Sequence, residues 1–218
     1  MSVVAAVSPS STGLSAGVSP RQATVTRLPT PFPTREALAL EQTPRAELER
    51  VFQRGVMPDL EGLVGWEFRG INRLPFNSLP LGRWVGIKKF MKGFHRGEDG
   101  RVMGYNCPVE MNALDGRWIA KPSDNAPKRF GFYETHEVDA TARDNEYLHA
   151  LLLDYGKGNN PRFDITAGLR DYLVQVDPAN PDLLLGKAYY AIGPARIGGL
   201  NFFILERHRR GLTNYASR

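Results

Sequence analysis

A carboxylate and an imidazole two residues apart are the strongest candidates for chemistry in this sequence. Glu134 and His136 share one face of an alternating segment that also carries Phe130, Phe132 and Val138. If that face lines an apolar interior, burial raises the pKa of Glu134, and the two side chains can hydrogen-bond. Such a pair is suited to acid–base catalysis or to holding the polar head group of a ligand.

The opposite strand register is also open. It turns Gly131, Tyr133 and Thr135 inward and leaves Glu134 and His136 as an exterior pair of a common kind. The sequence does not choose between the two registers, so it does not decide whether the protein is an enzyme.

Other chemical signatures are absent from the sequence. It has no nucleophile elbow, phosphate-binding loop, zinc-protease helix or dinucleotide fingerprint. The single Cys107 excludes an intramolecular disulfide, and no cluster of Cys and His suggests a metal site. There is neither a helix-turn-helix nor an aromatic RNA-binding signature. We therefore expect no cofactor, no metal and no nucleic-acid partner.

The elements that must position these residues are one helix and a long series of strands. Thr43 as N-cap, Pro44 at the first helical position and Gly55 as C-cap predict a helix over 43–55. From Trp66 onward the hydrophobic period changes to two, and the loop Gly97–Gly100 is typical of a hairpin turn. Since no amphipathic helices alternate with the strands, the pattern predicts an all-β fold, an antiparallel barrel or strongly bent meander sheet with a flanking N-terminal helix.

Nine strands are predicted in chain order. They are Trp66–Asn72, Trp84–Arg96, Arg101–Asn112, Arg117–Lys121, Phe130–Val138, Tyr147–Tyr155, Leu169–Val176, Leu183–Ile192 and Leu200–His208.

The entry to the first strand carries a glycine–tryptophan pattern, Gly62-x-x-Gly65-Trp66-x-x-x-Gly70, and a second such segment spans Leu81–Phe90. The pattern resembles lipocalin-like β-barrels and the GXWXG-type proteins of unknown function, although Gly65 directly precedes Trp66. The resemblance implies a barrel with an apolar interior. It also implies structural roles for Gly65, Trp66 and Arg207, with the guanidinium crossing the indole at the closed end. If the resemblance does not apply, Arg207 is a solvated residue of a basic tail.

The barrel and its Tyr- and Met-rich faces predict binding of a small hydrophobic or amphipathic ligand, such as a fatty acid, phospholipid or isoprenoid. Adaptable apolar side chains of this kind also serve as ordinary core. The predicted ligand-binding residues are Trp84, Met103, Tyr105, Phe132, Tyr155 and Tyr190.

Two other functions fit the same fold. In one, the interior is filled and the protein acts through the basic segments Lys88–Lys92 and Arg207–Arg210, at an anionic membrane surface. In the other, the barrel is an isomerase- or cyclase-like enzyme for a lipid or terpenoid. An open interior is favoured over a filled one because glycines at four strand positions remove bulk. These are Gly86, Gly93, Gly104 and Gly186.

The chain divides into a disordered tail over 1–35, a helical lead-in over 36–56, a barrel domain over 57–209 and a short tail over 210–218. Its net charge of +5 is spread along its length. The tail lacks the apolar core of a secretory signal, so a soluble cytoplasmic protein is expected. Its Ser, its Arg and the absence of acids before Glu36 leave an organellar transit peptide as the alternative. The sequence indicates no oligomeric state.

Overall fold

The computed structural model describes residues 30–73, 87–161, 164–192 and 195–212, and in these ranges three helices precede a sheet of eight strands. The helices are α1 (Arg35–Gln42), α2 (Arg45–Arg54) and α3 (Leu60–Leu63). The strands are β1 (Trp66–Arg73), β2 (Lys89–Arg96), β3 (Val102–Pro108), β4 (Phe130–Glu137), β5 (Leu151–Asp154), β6 (Leu169–Asp177), β7 (Asn180–Ile192) and β8 (Ala195–Arg210). Among these helices, none is long and apolar enough to cross a membrane.

The eight strands form a closed antiparallel barrel. Each strand pairs with the next along the chain, and β1 pairs with β8 to close the ring. The predicted all-β class and antiparallel barrel are therefore confirmed. In a ring of eight, β2 and β6 are four strands apart in either direction, so they face each other across the interior.

The helical region differs from the prediction at its start. Helix α1 begins at Arg35, where the predicted tail ends, and the Thr34 hydroxyl caps it by accepting from the Ala37 amide at 3.2 Å. Thr43 is not an N-cap, because its hydroxyl donates back to the Ala39 carbonyl at 2.9 Å. The sequence signal of Thr43 followed by Pro marks the break between two helices, so the single predicted helix was wrong at this point.

Helix α2 packs against the outside of the barrel. Its Leu48 and Phe52 are fully buried in a cluster that includes Tyr172, Leu185 and Ile204 from the outer faces of the strands. Both faces of this part of the sheet are therefore apolar. This removes the polarity difference that usually tells the inside of a sheet from the outside.

The predicted strand Arg117–Lys121 is not a strand. Ala120 makes an isolated bridge to Val109, and Trp118 lies buried against the outer face of β2, where its indole nitrogen donates to the Phe90 carbonyl at 3.0 Å. The segment between β3 and β4 thus covers the barrel wall. The strand predicted over Tyr147–Tyr155 is shorter than expected and is limited to β5, while Trp84 lies outside the described residues.

The predicted hairpin and glycine–tryptophan entry both adopt backbone shapes that need glycine. Gly100 has φ of 81° in the turn between β2 and β3, and the Gly97 amide donates to the Arg101 carbonyl at 2.8 Å. Gly65 has φ of 78°, and its amide donates to the Phe94 carbonyl at 2.8 Å. Only glycine adopts such φ values without strain, so Gly65 fixes the direction in which Trp66 enters the barrel.

Four glycines each lie directly opposite an aromatic residue of the neighbouring strand. The pairs are Gly70 with Phe90, Gly93 with Tyr105, Gly104 with Tyr133, and Gly186 with Phe203. A Cβ atom added at any of these glycines would overlap the partner's ring.

The sequence interpretation held that the glycines leave the interior open, and the structure shows that they do not. At the three pairs that face inward, the aromatic ring of the neighbouring strand fills the space beside the glycine. At the fourth pair, the ring fills the corresponding space on the outer wall. Gly86, the remaining glycine of that prediction, lies outside the described residues.

Gly186→Ala tests this packing. The added methyl would collide with the Phe203 ring, and we expect a loss of about 1–3 kcal/mol in unfolding free energy, as is typical of overpacking. In the double variant Gly186→Ala/Phe203→Leu the collision is relieved, so its loss should be clearly smaller than the sum of the two single losses. Urea unfolding followed by circular dichroism measures all three. Strictly additive losses would show that the two side chains are not coupled.

Candidate functional site

The interior of the barrel is mainly apolar and aromatic. A single cluster of buried side chains, reaching inward from most strands, forms it. Its members are Leu63, Phe68, Phe90, Phe94, Tyr133, Leu151, Leu153, Tyr155, Leu173, Leu184, Phe203 and Leu205.

Glu134 and His136 do not belong to this interior, so of the two registers that the sequence left open the structure has the exterior one. Tyr133 and Thr135 face inward instead, and Glu134 on the outer face forms ion pairs with Arg101 and, at 3.9 Å, with Lys157. The His136 Nε2 lies 3.3 Å from the Lys157 Nζ. The candidate acid–base pair thus lies on the outside of the wall, in contact with basic side chains.

A different set of polar side chains meets inside the barrel. Lys92 of β2 reaches across the interior, where its Nζ lies 3.1 Å from Asp171 Oδ2 on the opposite strand β6. The same ammonium donates to Asn106 Oδ1 of β3 at 3.0 Å and to the Tyr155 hydroxyl just after β5. These four residues, Lys92, Asn106, Tyr155 and Asp171, are called the Lys92 cluster below.

Hydrogen bonds within the Lys92 cluster satisfy nearly every polar atom. The Tyr155 hydroxyl donates to Asp171 Oδ2 at 3.1 Å and accepts from Asn106 Nδ2 at 3.2 Å. Asn106 Nδ2 also donates to the Gly131 carbonyl at 2.8 Å. Three donors on Lys92 thus meet three acceptors, and one positive charge faces one negative charge.

Aromatic rings enclose the ammonium group of Lys92. Its Nζ lies 4.7 Å from the ring centre of Tyr133, 5.0 Å from that of Tyr155, 5.4 Å from that of Phe203 and 5.8 Å from that of Phe90. A cation within about 6 Å of a ring centre is attracted by the ring's quadrupole. These rings therefore replace part of the hydration that Lys92 loses.

Burial changes the protonation behaviour of the cluster. Desolvation lowers the pKa of Lys92, and the charge of Asp171 opposes that shift only in part. Desolvation and the nearby carboxylate of Asp171 raise the pKa of Tyr155 well above its ordinary value, so its phenol stays protonated. The cluster thus combines an amine that gives up its proton more readily than usual with a phenol that keeps its own.

The predicted ligand-binding residues fall on both sides of the wall. Tyr155 is in the Lys92 cluster, and Tyr190 faces inward opposite Leu169 of β6. Met103, Tyr105 and Phe132 lie on the outer face. Trp84, the sixth, is outside the described residues.

Tyr105 is buried on the outer face, where the Arg129 guanidinium lies 4.9 Å from its ring centre. Its hydroxyl donates to Glu67 Oε1 at 2.8 Å, and Glu67 pairs with Arg209 at 2.7 Å. Cys107, two residues along the same face, is fully buried, and burial raises the pKa of its thiol to about 12. A thiol with that pKa is unreactive near neutrality, which leaves this face as structural packing.

The end of the barrel at Trp66 is closed by stacked cations and rings. The Arg207 guanidinium lies 4.7 Å from the Trp66 ring centre, and that of Arg210 lies 3.8 Å from it. Arg207 also pairs with Asp182 at 2.6 Å and donates to the Gly62 carbonyl at 3.0 Å. The contact between Trp66 and Arg207 that the lipocalin-like resemblance implies is therefore present.

The basic segments expected on the surface are largely buried or paired. Lys89 and Lys92 are buried, and Lys88 pairs with Glu41 of α1 at 2.6 Å. Arg207 is buried too, and Arg209 is held by two carboxylates. Most of the cations that the sequence offered to an acidic partner thus have partners within the protein instead.

A second polar contact lies on the inner face toward the end opposite Trp66. Asn201 Nδ2 of β8 donates to Asn72 Oδ1 of β1 at 2.9 Å. Asn201 Oδ1 is buried and accepts no hydrogen bond from the part of the chain that the structure describes. It is an acceptor with capacity for one more donor.

Sequence reasoning missed Lys92, Asn106 and Asp171 as site residues. One signal was present: Lys92 alternates with Phe90 and Phe94, which places a charge on the most apolar face of its strand. Asp171 has a similar position between Leu169 and Leu173. Two opposite charges on apolar faces of different strands indicate a pair across the barrel.

Lys92→Met tests whether the ion pair is needed for stability. The variant leaves the Asp171 carboxylate buried without its cation, and we expect a loss of about 3–5 kcal/mol in unfolding free energy. The variant Lys92→Met/Asp171→Leu removes both charges, and its stability should recover to near that of the wild type or exceed it. Urea unfolding at pH 7.5 compares them. If the double variant stays as unstable as the single one, the pair is a structural requirement.

His208 makes stability depend on pH. Burial together with the charges of Arg69 and Arg209 lowers its pKa to about 4, whereas an unfolded histidine titrates near 6.5. Between these values the unfolded chain binds more protons, so stability should fall as pH drops from about 6.5 to 4, by on the order of 1–3 kcal/mol. His208→Gln should lose that share of the decline in denaturant unfolding, and equal declines in both proteins would contradict the assignment.

Comparisons with known proteins add no family to this barrel: no protein-family model matches the chain, and neither the curated proteins nor the solved structures contain a match. The closed antiparallel barrel is consistent with a lipocalin-like fold. Membership of the GXWXG-type proteins stays a prediction from the glycine–tryptophan pattern.

Proposed function

We propose that the barrel binds a small amphipathic ligand whose polar group is uncharged and lies at the Lys92 cluster. One observation carries this proposal: a charge-balanced and hydrogen-bonded polar cluster lies at the centre of an otherwise apolar and aromatic interior. Ligand sites commonly combine apolar walls with a few convergent polar groups in this way.

Stability alone is a poor explanation for the cluster. Desolvating two charges costs several kcal/mol each, and buried ion pairs are often replaced by apolar residues without loss. The inward neighbours Phe94, Leu173 and Leu205 show that this interior is readily built from apolar side chains. Lys92 and Asp171 are therefore better explained by recognition than by packing.

The charge count of the cluster selects the polar group of the ligand. Lys92 and Asp171 neutralise each other, so a carboxylate or phosphate would bring a second negative charge beside Asp171. A carbonyl or hydroxyl can instead accept a hydrogen bond from the ammonium without adding a charge. Of the ligand classes expected from sequence, an uncharged isoprenoid fits better than a fatty acid or a phospholipid.

The apolar part of the ligand would lie on the side of the cluster away from Trp66, in space that aromatic rings now occupy. There Phe90 and Phe203 meet edge to face, with ring centres 6.1 Å apart. Both rings rest over glycines, Gly70 and Gly186, rather than interlocking with larger side chains. Rotation of either ring would make room for an alkyl chain that ends at Lys92.

A filled barrel without a ligand is the alternative that one observation favours. The rings of Phe90, Tyr133 and Phe203 occupy the space over their glycine partners, so the interior is well packed as it stands. In that case the function would lie on the outer surface. Ligand titration separates the two possibilities.

Titration with two matched probes tests the proposal. Citronellol and citronellic acid share one isoprenoid skeleton and differ in the charge of the head group at pH 7.5. We expect native mass spectrometry to show one bound citronellol, with an affinity at least ten-fold greater than that for citronellic acid. Phe203→Ala, which removes a ring beside Lys92, should tighten citronellol binding.

Met103→Ala is the matched control for that variant. Met103 is a predicted ligand-binding residue that lies on the outer face, so its truncation should leave citronellol binding unchanged. Absence of binding to both the wild type and Phe203→Ala would favour the filled barrel. Tighter binding of the acid would contradict the charge argument.

A further inference from the structure

The amine of Lys92 is placed for a covalent reaction as well as for hydrogen bonding. It is fully enclosed, a carboxylate oxygen lies 3.1 Å from it, and four aromatic rings surround it within 6 Å. Enclosure of this kind keeps water from the nitrogen. An imine formed in such a place is protected from hydrolysis.

We propose that Lys92 forms a reversible protonated imine with an aldehyde or ketone carried on an apolar chain, with Asp171 as the proton carrier and counter-ion. This inference rests on the proposed function, because it requires the same interior to admit an amphipathic molecule. It names the carbonyl compounds as the ligand class.

The protons and charges balance within the cluster. Lys92 passes a proton to Asp171, and the freed nitrogen lone pair forms a C–N bond to the carbonyl carbon while the C=O π pair moves to oxygen. That oxygen takes the proton from Asp171 and, after a further transfer from nitrogen through the same carboxylate, leaves as water. Of the three ammonium protons, two depart in the water and one stays on the imine nitrogen. The product is a cation beside the Asp171 anion, as before.

The surrounding groups support each part of this step. Lys92 reacts only as a free amine, and burial lowers the pKa of its ammonium group. The Tyr155 phenol donates to the same Oδ2 that faces Lys92, at 3.1 Å, and so holds that oxygen in position. Asp171 touches the reacting nitrogen and is a candidate catalytic residue, whereas Tyr155 is a positioning residue through its bond to Asp171.

Other buried lysines lack this arrangement. Lys89 is equally buried, but it lies on the outer wall, where its ammonium donates to Asn112 and to the carbonyls of Ala113 and Arg117. Lys187 pairs with Glu49 at 2.8 Å outside the barrel, and its pKa is raised. A protonated, outward-facing amine is a poor nucleophile, so Lys187 serves as an internal comparison.

The test uses citronellal, the aldehyde of the same skeleton, with sodium cyanoborohydride to reduce any imine to a stable amine. We expect a single added citronellyl group at equimolar aldehyde, located at Lys92 by peptide mass spectrometry and competed by citronellol. Lys92→Arg keeps the charge but cannot form the imine, and it should lose the label. Lys187→Arg should keep it. Protein unfolded in urea should lose the preference for Lys92.

A second variant keeps the test valid if Lys92→Arg does not fold. Asp171→Asn retains the amine and a similar shape but removes the proton carrier, so labelling at Lys92 should slow at least ten-fold and its pH profile should change. Labelling of exposed lysines ahead of Lys92 would overturn the imine. Citronellol binding without labelling would also overturn it while leaving the proposed function intact. Failure of both citronellol and citronellal to bind would overturn both proposals.

Discussion

One ion pair crosses the barrel, from Lys92 to Asp171, and the shape of the interior has to fit it. The two residues come from strands on opposite sides of the ring, so the length of one lysine side chain must match the width of the interior. Lysine is flexible enough to make that span, and its three donors suit the three acceptors from strands on both sides. The cluster therefore links β2, β3 and β6 and the end of β5 at one point. Closing the ring is what brings its members together.

Charge is buried on the outside of the wall as well, and there other parts of the chain cover it. Arg69 and Glu206 pair at 2.9 Å, and the Thr34 amide before α1 donates to that carboxylate at 3.1 Å. The segment after β3 supplies the acceptors of Lys89. These buried charges need a cover that keeps water out. The residues before α1 and the segment between β3 and β4 provide that cover. The interior cluster differs in that the barrel itself encloses it.

The sequence predicted the architecture well because its signals were local. The alternation after Trp66 and the turn at Gly97–Gly100 depend on neighbouring residues, and they predicted the antiparallel barrel. The contact of Arg207 with Trp66 was implied by the lipocalin-like resemblance instead. The register of Phe130–Val138 was not predictable from that alternation, since aromatic residues occupy both faces of the segment and both faces are partly covered. The outward position of Glu134 follows from a pairing with strands that are distant in sequence.

The site was hidden for a related reason. Lys92 comes three residues after the pair Lys88-Lys89 and so resembles one more solvated charge, and only its alternation with Phe90 and Phe94 suggested otherwise. Asp171 is 79 residues further along the chain in a different strand, and nothing local joins the two. The prediction of an N-cap at Thr43 failed for the opposite reason. The local cap signal was good, but Thr43 ends helix α1 and does not begin α2.

The four glycine–aromatic pairs have a consequence for how this barrel can vary. Within each pair, the glycine contributes almost no side-chain volume and the partner contributes a ring. The combined side-chain volume of the two positions is therefore limited. A larger residue at one position is compatible with the fold only when its partner becomes smaller. Such positions should covary between homologous chains. The shape of the interior around Lys92 can therefore be remodelled two residues at a time, while the backbone of the barrel is left as it is.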